Sequence, residues 1–264
     1  MSEGLQFAQL AWRGRPLRLE YRWVGAAESA VAPVVFLHEG LGSVAMWKDF
    51  PERFCAEHGL RGIVFSRYGY GRSTPKPPDE HWTPAFMHAQ AHEVLPLLFS
   101  ELHIDRPWLF GHSDGGSIAL LHAAKFDVAG IVVVAPHILV EAVSIASIEK
   151  AREAFETTDL RARLARYHDD PDSAFRGWNN IWLNPAFRAW NIEAELDSIT
   201  CPVLAVQGED DEYGTLAQIV GIQARLPKTR LLVIPKCGHS PHRDQPALLS
   251  SAAGRFILEH PTPS

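Results

Sequence analysis

Short apolar runs alternate with longer amphipathic stretches along most of the chain. Runs of three or four apolar residues are typical of strands buried on both faces of a sheet. The stretches between several of them, such as 45–58, 84–102 and 113–125, are long enough for helices. This alternation predicts an α/β fold with a mostly parallel central sheet and helices on both of its faces. The predicted strands are 34–37, 63–65, 108–110, 131–134, 203–206 and 231–234.

Two local patterns add detail to this fold. Residues 7–12 and 17–21 flank the turn sequence Arg-Gly-Arg-Pro, which predicts an antiparallel hairpin at one edge of the sheet. Thr83 followed by Pro84 predicts a helix start, because threonine can cap free backbone N–H groups and proline fits the first turn. Pro96 is expected to kink that helix or split it in two.

The stretch 137–199 contains no strand-like run and mixes charged and aromatic residues, which predicts a helical cap inserted after the sixth strand. Residues 1–136 and 200–264 would then form the core of one compact domain. Trp178, Trp182 and Trp190 would share one helical face if the helix were unbroken, but Pro185 interrupts it. This face either packs the cap onto the core or forms a wall of the substrate pocket.

Composition narrows the possible functions. The 264 residues carry 25 basic and 31 acidic side chains, a net charge of −6, which argues against binding to nucleic acid. The three cysteines form no CxxC motif, as expected in a reducing compartment. Residues 1–7 lack the features of a secretory signal, and no apolar run approaches the roughly 20 residues that cross a bilayer. We expect a cytoplasmic protein with a small-molecule partner and no membrane contact; the oligomeric state stays open.

The strongest chemical motif is GHSDGG at 111–116, directly after a predicted strand and directly before a helical pattern. A serine in a G-x-S-x-G turn needs glycine neighbours because the strained backbone leaves little room for Cβ atoms. The turn exposes the hydroxyl of Ser113 at the carboxyl edge of the sheet. The N-terminus of the following helix can stabilise negative charge on a substrate oxygen there.

A serine nucleophile needs a base, usually histidine, and the histidine needs a carboxylate that fixes its tautomer. Four consecutive acids, 209–212, end the predicted strand 203–206. His239 follows the strand 231–234 after a short turn. The carboxyl ends of parallel strands lie at one edge of a sheet, so these three motifs are predicted to converge.

Five motifs follow one another along the chain: LHEGLGS at 37–43, RYGYGRS at 67–73, GHSDGG at 111–116, GEDD at 208–211 and GHSP at 238–241. Together they resemble the α/β-hydrolase superfamily over nearly the whole chain. The resemblance implies that Ser113 is the nucleophile, His239 the general base and then acid, and Asp211 the orienting carboxylate, with Asp210 as the alternative acid. His242 is the alternative base, although the Gly-His pair beyond the strand is similar to the family position.

The resemblance also implies an oxyanion hole. One donor is the backbone N–H of Asp114, and the second comes from the loop after His38, either from Gly40, which we favour, or from Leu41. The carboxylate of Asp114 is expected to point away from the substrate. Leu41 and His137 are expected at the pocket.

The remaining substrate-binding residues suggested by the sequence are Trp178 and Trp182. No cofactor is implied. His88 and His92 lie one helical turn apart beside Glu93, but the sequence supplies no third ligand, whereas a catalytic zinc site has three. We therefore expect no metal.

Three functions follow from these residues. The first is a serine hydrolase that cleaves a small to medium, partly apolar carboxylic ester or lactone through an acyl-serine. The second uses the same triad to hydrolyse the carbon–carbon bond of a vinylogous diketone ring-fission product. The third is a hydrolase-like receptor with little turnover, since a triad alone does not prove catalysis. Haloalkane dehalogenases and epoxide hydrolases are disfavoured because they carry aspartate where this chain has Ser113.

Overall fold

A computed structural model describes residues 4–261, and within them eight strands form one sheet in the order β1-β2-β4-β3-β5-β6-β7-β8. β1 and β2 pair antiparallel, as do β2 and β4, whereas all later neighbours pair parallel. The predicted α/β fold with its antiparallel edge is confirmed. The strands are β1 (Gln6–Trp12), β2 (Arg15–Gly25), β3 (Val34–Leu37), β4 (Arg61–Phe65), β5 (Trp108–His112), β6 (Gly130–Val134), β7 (Val203–Gly208) and β8 (Arg230–Ile234).

The N-terminal hairpin turns at Arg13 and Gly14, which have φ angles of 50° and 74°. Positive φ at both central residues defines the turn type that matches the twist of paired strands. Trp12 and Arg15 therefore pair directly across the turn, and this register continues to Gln6 opposite Tyr21.

Helices fill both faces of the sheet. Alternate residues of β3 enter opposite cores: Val35 and Leu37 pack on one face, Val34 and Phe36 on the other. The helices are α1 (Phe50–His58), α2 (Phe86–Ala89), α3 (Leu95–Glu101), α4 (Asp114–Ala123), α5 (Ala142–Thr157), α6 (Leu160–Leu164), α7 (Pro171–Trp182), α8 (Glu193–Leu196), α9 (Ala217–Arg225), α10 (Pro241–Asp244) and α11 (Pro246–Glu259).

The helix predicted from Pro84 begins later and changes its winding. Thr83 is exposed and is not the N-cap; Ala85 occupies that position without a side-chain cap, so this prediction is wrong. Just before Pro96, where a kink or a split is expected, a π-helical turn, Gln90–Val94, separates α2 from α3, and the helical path continues through it. Proline has no N–H for the usual i−4 carbonyl, and a π-turn is one way in which a helix accommodates such a break.

Four α-helices, α5 to α8, lie between β6 and β7 in the described chain. Trp178 and Trp182 belong to α7, which ends at Trp182. A 3-10 helix, Pro185–Phe187, then redirects the chain, so Trp190 stacks on Phe187 rather than continuing the face of α7.

None of the helices within residues 4–261 combines the length and the apolar character that crossing a membrane requires. The termini of the predicted core, residues 1–3 and 262–264, lie outside the described residues.

Candidate active site

Ser113 stands at a strained turn between β5 and α4. Its φ of 54° and ψ of −121° are unusual for a residue with a side chain, and such strain is typical of functional sites. A Cβ on Gly111 would collide with the backbone of Gly115, and a Cβ on Gly115 would collide with the backbone of Leu37. The two flanking glycines are therefore required by close backbone approach, which is the reason that the sequence motif predicts this turn.

His239 links Ser113 to Asp211. The Nε2 atom of His239 lies 2.9 Å from the Oγ of Ser113, and its Nδ1 lies 2.8 Å and 2.9 Å from the two carboxylate oxygens of Asp211. Because a carboxylate can only accept, Nδ1 carries the proton and Nε2 is free to accept from the serine hydroxyl. The three groups thus form a continuous hydrogen-bonded chain from hydroxyl to carboxylate.

Asp210 and His242, the alternative acid and base, are not part of this hydrogen-bonded chain. Asp210 is exposed, whereas the side chain of Asp211 is 1% exposed. His242 is buried, with its ring 5.0 Å from that of Trp47, and burial lowers the pKa of His242 to about 3. A histidine with so low a pKa is neutral at physiological pH.

Asp211 is held by several donors. Its Oδ1 accepts from the backbone N–H groups of Tyr213 and Gly214, at 2.8 Å and 3.2 Å, and its Oδ2 accepts from Nε2 of Gln207 at 2.6 Å. Burial by itself would raise the pKa of Asp211, but the hydrogen bond and charge of His239 and the N–H of Tyr213 outweigh it and lower the pKa. The carboxylate is therefore ionised at neutral pH. Gln207 lies just outside the GEDD motif, and no local pattern predicted a role for it.

A cavity of about 240 Å³ opens onto Ser113 and His239. It brings together all the substrate-binding residues suggested by the sequence, since Leu41, His137, Trp178 and Trp182 line it beside Gly40 and Asp114. Its remaining lining residues were not predicted to bind substrate: Glu39, His112, Ile148, Glu212, Tyr213, Ser240 and Arg243.

His137 contributes a buried imidazole to this cavity. Its ring lies 4.8 Å from that of Trp182 and 6.0 Å from that of His239. Burial lowers the pKa of His137 to about 3, so the ring is neutral. An uncharged imidazole at this point adds no positive charge beside His239.

The side chain of Asp114 points into the protein. It is fully buried, and its Oδ1 accepts a hydrogen bond of 3.1 Å from the indole N–H of Trp182. Its Oδ2 lies 3.8 Å from Nη2 of Arg67. Burial raises the pKa of Asp114 to about 6, although Arg67 and Trp182 act in the opposite direction. The carboxylate has no surface that a substrate could touch.

The rings of His88 and His92 contact different groups. The Nε2 of His88 lies 3.5 Å from Glu195, and that of His92 lies 3.1 Å from the carbonyl of Leu121. Within the part of the chain that the structure describes, no three histidine, cysteine, aspartate or glutamate side chains are grouped so as to hold a metal ion.

Sequence comparison with known proteins identifies a family and several related enzymes. The sequence model of the alpha/beta hydrolase family matches residues 34–252. A candidate carbamate hydrolase of Agrobacterium fabrum, RutD, is 26% identical over 87% of this chain and 94% of its own. The 2-hydroxy-6-oxo-6-phenylhexa-2,4-dienoate hydrolase of Burkholderia cepacia is 24% identical over 78% of this chain and 80% of its own.

The fold also matches solved structures. A thermophilic esterase from Thermogutta terrifontis superposes with a TM-score of 0.74 at 20% identity, covering 97% of this chain and 100% of the esterase. At this level of identity the match supports the architecture rather than a substrate.

Proposed function

The chain belongs to the alpha/beta hydrolase family, and from this premise we propose that it is a serine hydrolase that cleaves a small to medium, partly apolar carboxylic ester or lactone. The observation that carries the proposal is the hydrogen-bonded chain from Ser113 through His239 to Asp211 at the wall of a cavity. The serine hydroxyl, the imidazole and the carboxylate each lie at hydrogen-bonding distance from the next group, as nucleophilic catalysis by serine requires.

Acylation begins at Ser113. Its Oγ attacks the carbonyl carbon of the ester while Nε2 of His239 takes the hydroxyl proton. Asp211 keeps the imidazole in the correct tautomer and stabilises the imidazolium that forms. The resulting oxyanion accepts from the backbone N–H groups of Gly40 and Asp114, and each such donor contributes about 3–4 kcal/mol to the transition state.

Collapse of the first tetrahedral intermediate completes acylation, and attack by water then begins deacylation. His239 gives its proton to the leaving alkoxide, which departs and leaves an acyl-serine. A water molecule then enters beside His239, which takes its proton as the water attacks the acyl carbon. Collapse of the second tetrahedral intermediate returns the proton to Ser113 and releases the acid.

The cavity supports a small, partly apolar substrate. Its volume of about 240 Å³ lies below the 300–1,000 Å³ usual for drug-sized ligands. Trp178, Trp182 and Ile148 supply apolar wall, and α7, which carries both tryptophans, would act as part of a cap over the acyl group. We therefore expect acetyl to butyryl esters to react faster than octanoyl esters.

Carbon–carbon bond hydrolysis is the second candidate, favoured by the similarity to the Burkholderia cepacia dienoate hydrolase. That reaction releases a carbanion, which needs its own proton donor and charge stabilisation. Among the described residues that line the cavity, the one guanidinium is that of Arg243, which is exposed and comes from α10 rather than from the helices between β6 and β7. In the ester reaction His239 protonates the leaving alkoxide, so no further donor is needed.

A substrate panel tests the proposal. Purified wild-type protein and a Ser113→Ala variant are assayed on short-chain aryl esters, lactones and vinylogous diketones. The proposal predicts hydrolysis of esters or lactones that disappears with Ser113→Ala. Turnover confined to the diketones would support the second candidate. Wild-type turnover no higher than that of Ser113→Ala would instead favour a small-ligand receptor with little catalytic activity.

A further inference from the structure

A buried arginine lies between the two loops that carry the proposed oxyanion donors. Arg67 follows β4, and its side chain is 1% exposed. Its guanidinium reaches the loop after β3 on one side and the start of α4 on the other. The inference drawn from these contacts rests on the function proposed above.

On the first side, Arg67 holds a peptide group. Its Nη2 donates to the carbonyl oxygen of Glu39 at 2.8 Å. The same oxygen lies 2.7 Å from Nδ1 of His38, whose Nε2 accepts from the backbone N–H of Arg67 at 2.9 Å. Because Nε2 accepts, Nδ1 carries the proton and donates. Burial lowers the pKa of His38 well below its usual value, which keeps the ring neutral with this tautomer fixed.

These two hydrogen bonds orient the N–H of Gly40. The carbonyl of Glu39 and the N–H of Gly40 belong to one planar trans peptide, in which the C=O and N–H bonds point in opposite directions. Fixing the carbonyl toward Arg67 and His38 thus turns the N–H away from them. The guanidinium charge on the carbonyl also polarises the peptide and strengthens the N–H as a donor.

On the second side, Arg67 faces the residue after the nucleophile. Nη2 lies 3.8 Å from Oδ2 of Asp114, whose backbone N–H is the other proposed donor. Oδ1 of Asp114 accepts from the indole of Trp182, at the last residue of α7. Since the Asp114 carboxylate is fully buried, it cannot contact a substrate directly.

We propose that Arg67 is a positioning residue that sets both oxyanion donors, and that Asp114 and Trp182 couple this arrangement to α7. The cavity wall formed by α7 and the two donors at Gly40 and Asp114 are then parts of one connected unit. A substrate that seats α7 correctly would also find the oxyanion hole in its working geometry.

The geometry of the pair argues for positioning rather than stabilisation. Among the described residues, Nε of Arg67 and Oδ2 of Asp114 are buried and have no hydrogen-bond partner. At 3.8 Å the charges attract without a direct hydrogen bond. Burial outweighs this attraction and raises the pKa of Asp114 to about 6, so folding favours the uncharged form of this side chain. Removing the charge of Asp114 should therefore leave stability unchanged or higher while it lowers catalysis.

The experiment uses the full-length enzyme and three variants: Asp114→Asn, Trp182→Phe and Arg67→Lys. Asparagine retains the acceptor for Trp182 but loses the attraction to Arg67. Phenylalanine retains a ring but loses the N–H, and lysine retains the charge but lacks the planar fork. For each protein we would measure kcat and KM on the best ester, the melting temperature, and the Ki of a trifluoromethyl ketone, which forms a tetrahedral oxyanion on serine.

The matched control is Arg152→Gln. Nε of Arg152 donates to Oδ1 of Asn179 at 2.8 Å and its Nη2 donates to Oδ1 of Asn180 at 3.4 Å, so this variant also removes hydrogen bonds to α7, but ones without connection to Arg67. We expect kcat and Ki of this control to stay within twofold of wild type.

For Asp114→Asn we expect kcat to fall at least tenfold and Ki to rise by a similar factor, with KM within threefold and the melting temperature unchanged or higher. Trp182→Phe and Arg67→Lys should lower kcat and raise Ki in the same direction. Unchanged kcat and Ki in Asp114→Asn and Trp182→Phe, in an active wild-type enzyme, would overturn this inference alone. A wild type that neither turns over esters nor binds the ketone on Ser113 would overturn the proposed function and this inference together.

Discussion

The amide of Gln207 donates a hydrogen bond of 2.6 Å to Oδ2 of Asp211. Gln207 is the penultimate residue of β7, is buried, and also donates to the carbonyl of Gly214 at 3.0 Å. It therefore ties the carboxylate to both the strand and the following turn. With His239 on the other side, the carboxylate is held in a single orientation, which the proposed role of Asp211 requires.

Asp211→Asn should remove most of the activity. Asparagine keeps the shape of the side chain but can favour the wrong tautomer of His239, an effect that lowers kcat by about 10⁴ in the serine protease triad. Steady-state kinetics on the best ester measures this loss. Asp210→Asn is the matched control because Asp210 is adjacent but exposed, and its kcat should stay within twofold of wild type. Equal losses in both variants would contradict the assignment of the triad acid.

Gln207→Leu should weaken the enzyme without abolishing its activity. Leucine fills a similar volume but removes the hydrogen bonds to Asp211 and Gly214, so the carboxylate becomes less well held. We expect kcat to fall about tenfold, since small displacements of catalytic groups carry losses of up to about 100-fold. Measured kinetics equal to wild type would show that the backbone donors of Tyr213 and Gly214 suffice.

Gly40→Ala should disrupt the proposed oxyanion loop through a collision. The added Cβ would overlap the indole of Trp178, so either the loop or α7 must move. Overpacking of this kind costs about 1–3 kcal/mol of stability, and we expect kcat/KM to fall at least tenfold. The double variant Gly40→Ala/Trp178→Ala removes the collision and should regain part of the lost kcat. A double variant no better than the single one would place the defect in the loop backbone itself.

Asp114 predicts a pH-dependent stability. Because burial raises its pKa to about 6 in the folded protein, against about 3.9 for an exposed aspartate, the folded state binds the proton more tightly than the unfolded state. Ionisation of this group therefore opposes folding. Its destabilising effect is absent below about pH 4, grows as the pH rises through 6, and is constant above about 7.

The measurement is urea unfolding of wild type and Asp114→Asn from pH 4 to 8. The free energy of unfolding of wild type minus that of the variant should fall as the pH rises from 4 to 6, with a slope of at most about 1.4 kcal/mol per pH unit. Parallel curves for the two proteins over this range would show that the pKa of Asp114 is not raised.

Local patterns were sufficient for the fold and for the placement of Ser113. The turn at 111–116 was predictable because its glycines are required by close contacts within the motif and with the neighbouring strand. The sheet was predictable because strands such as β3 and β6 are apolar throughout and buried on both faces. The prediction that Thr83 caps a helix was wrong because the chain stays non-helical for two further residues, which no local rule indicated.

Contacts between distant segments could not be predicted from local sequence patterns. Arg67 and the carbonyl of Glu39 are 28 positions apart, and the carboxylate of Asp114 meets an indole 68 positions later. Their pairing depends on where the loop after β3 and the end of α7 lie in space. Similarly, Trp190 was separated from Trp178 and Trp182 by the turn at Pro185, whose direction the sequence did not determine.

The central claim is that Ser113 is an activated nucleophile, and covalent labelling tests it most directly. Folded wild-type protein is exposed to an alkyl fluorophosphonate, and the intact mass and the modified peptide are determined by mass spectrometry. We predict one adduct per chain on Ser113, lost both in Ser113→Ala and after denaturation of wild type before exposure. An unlabelled folded wild type, or equal labelling of Ser113→Ala, would contradict the account.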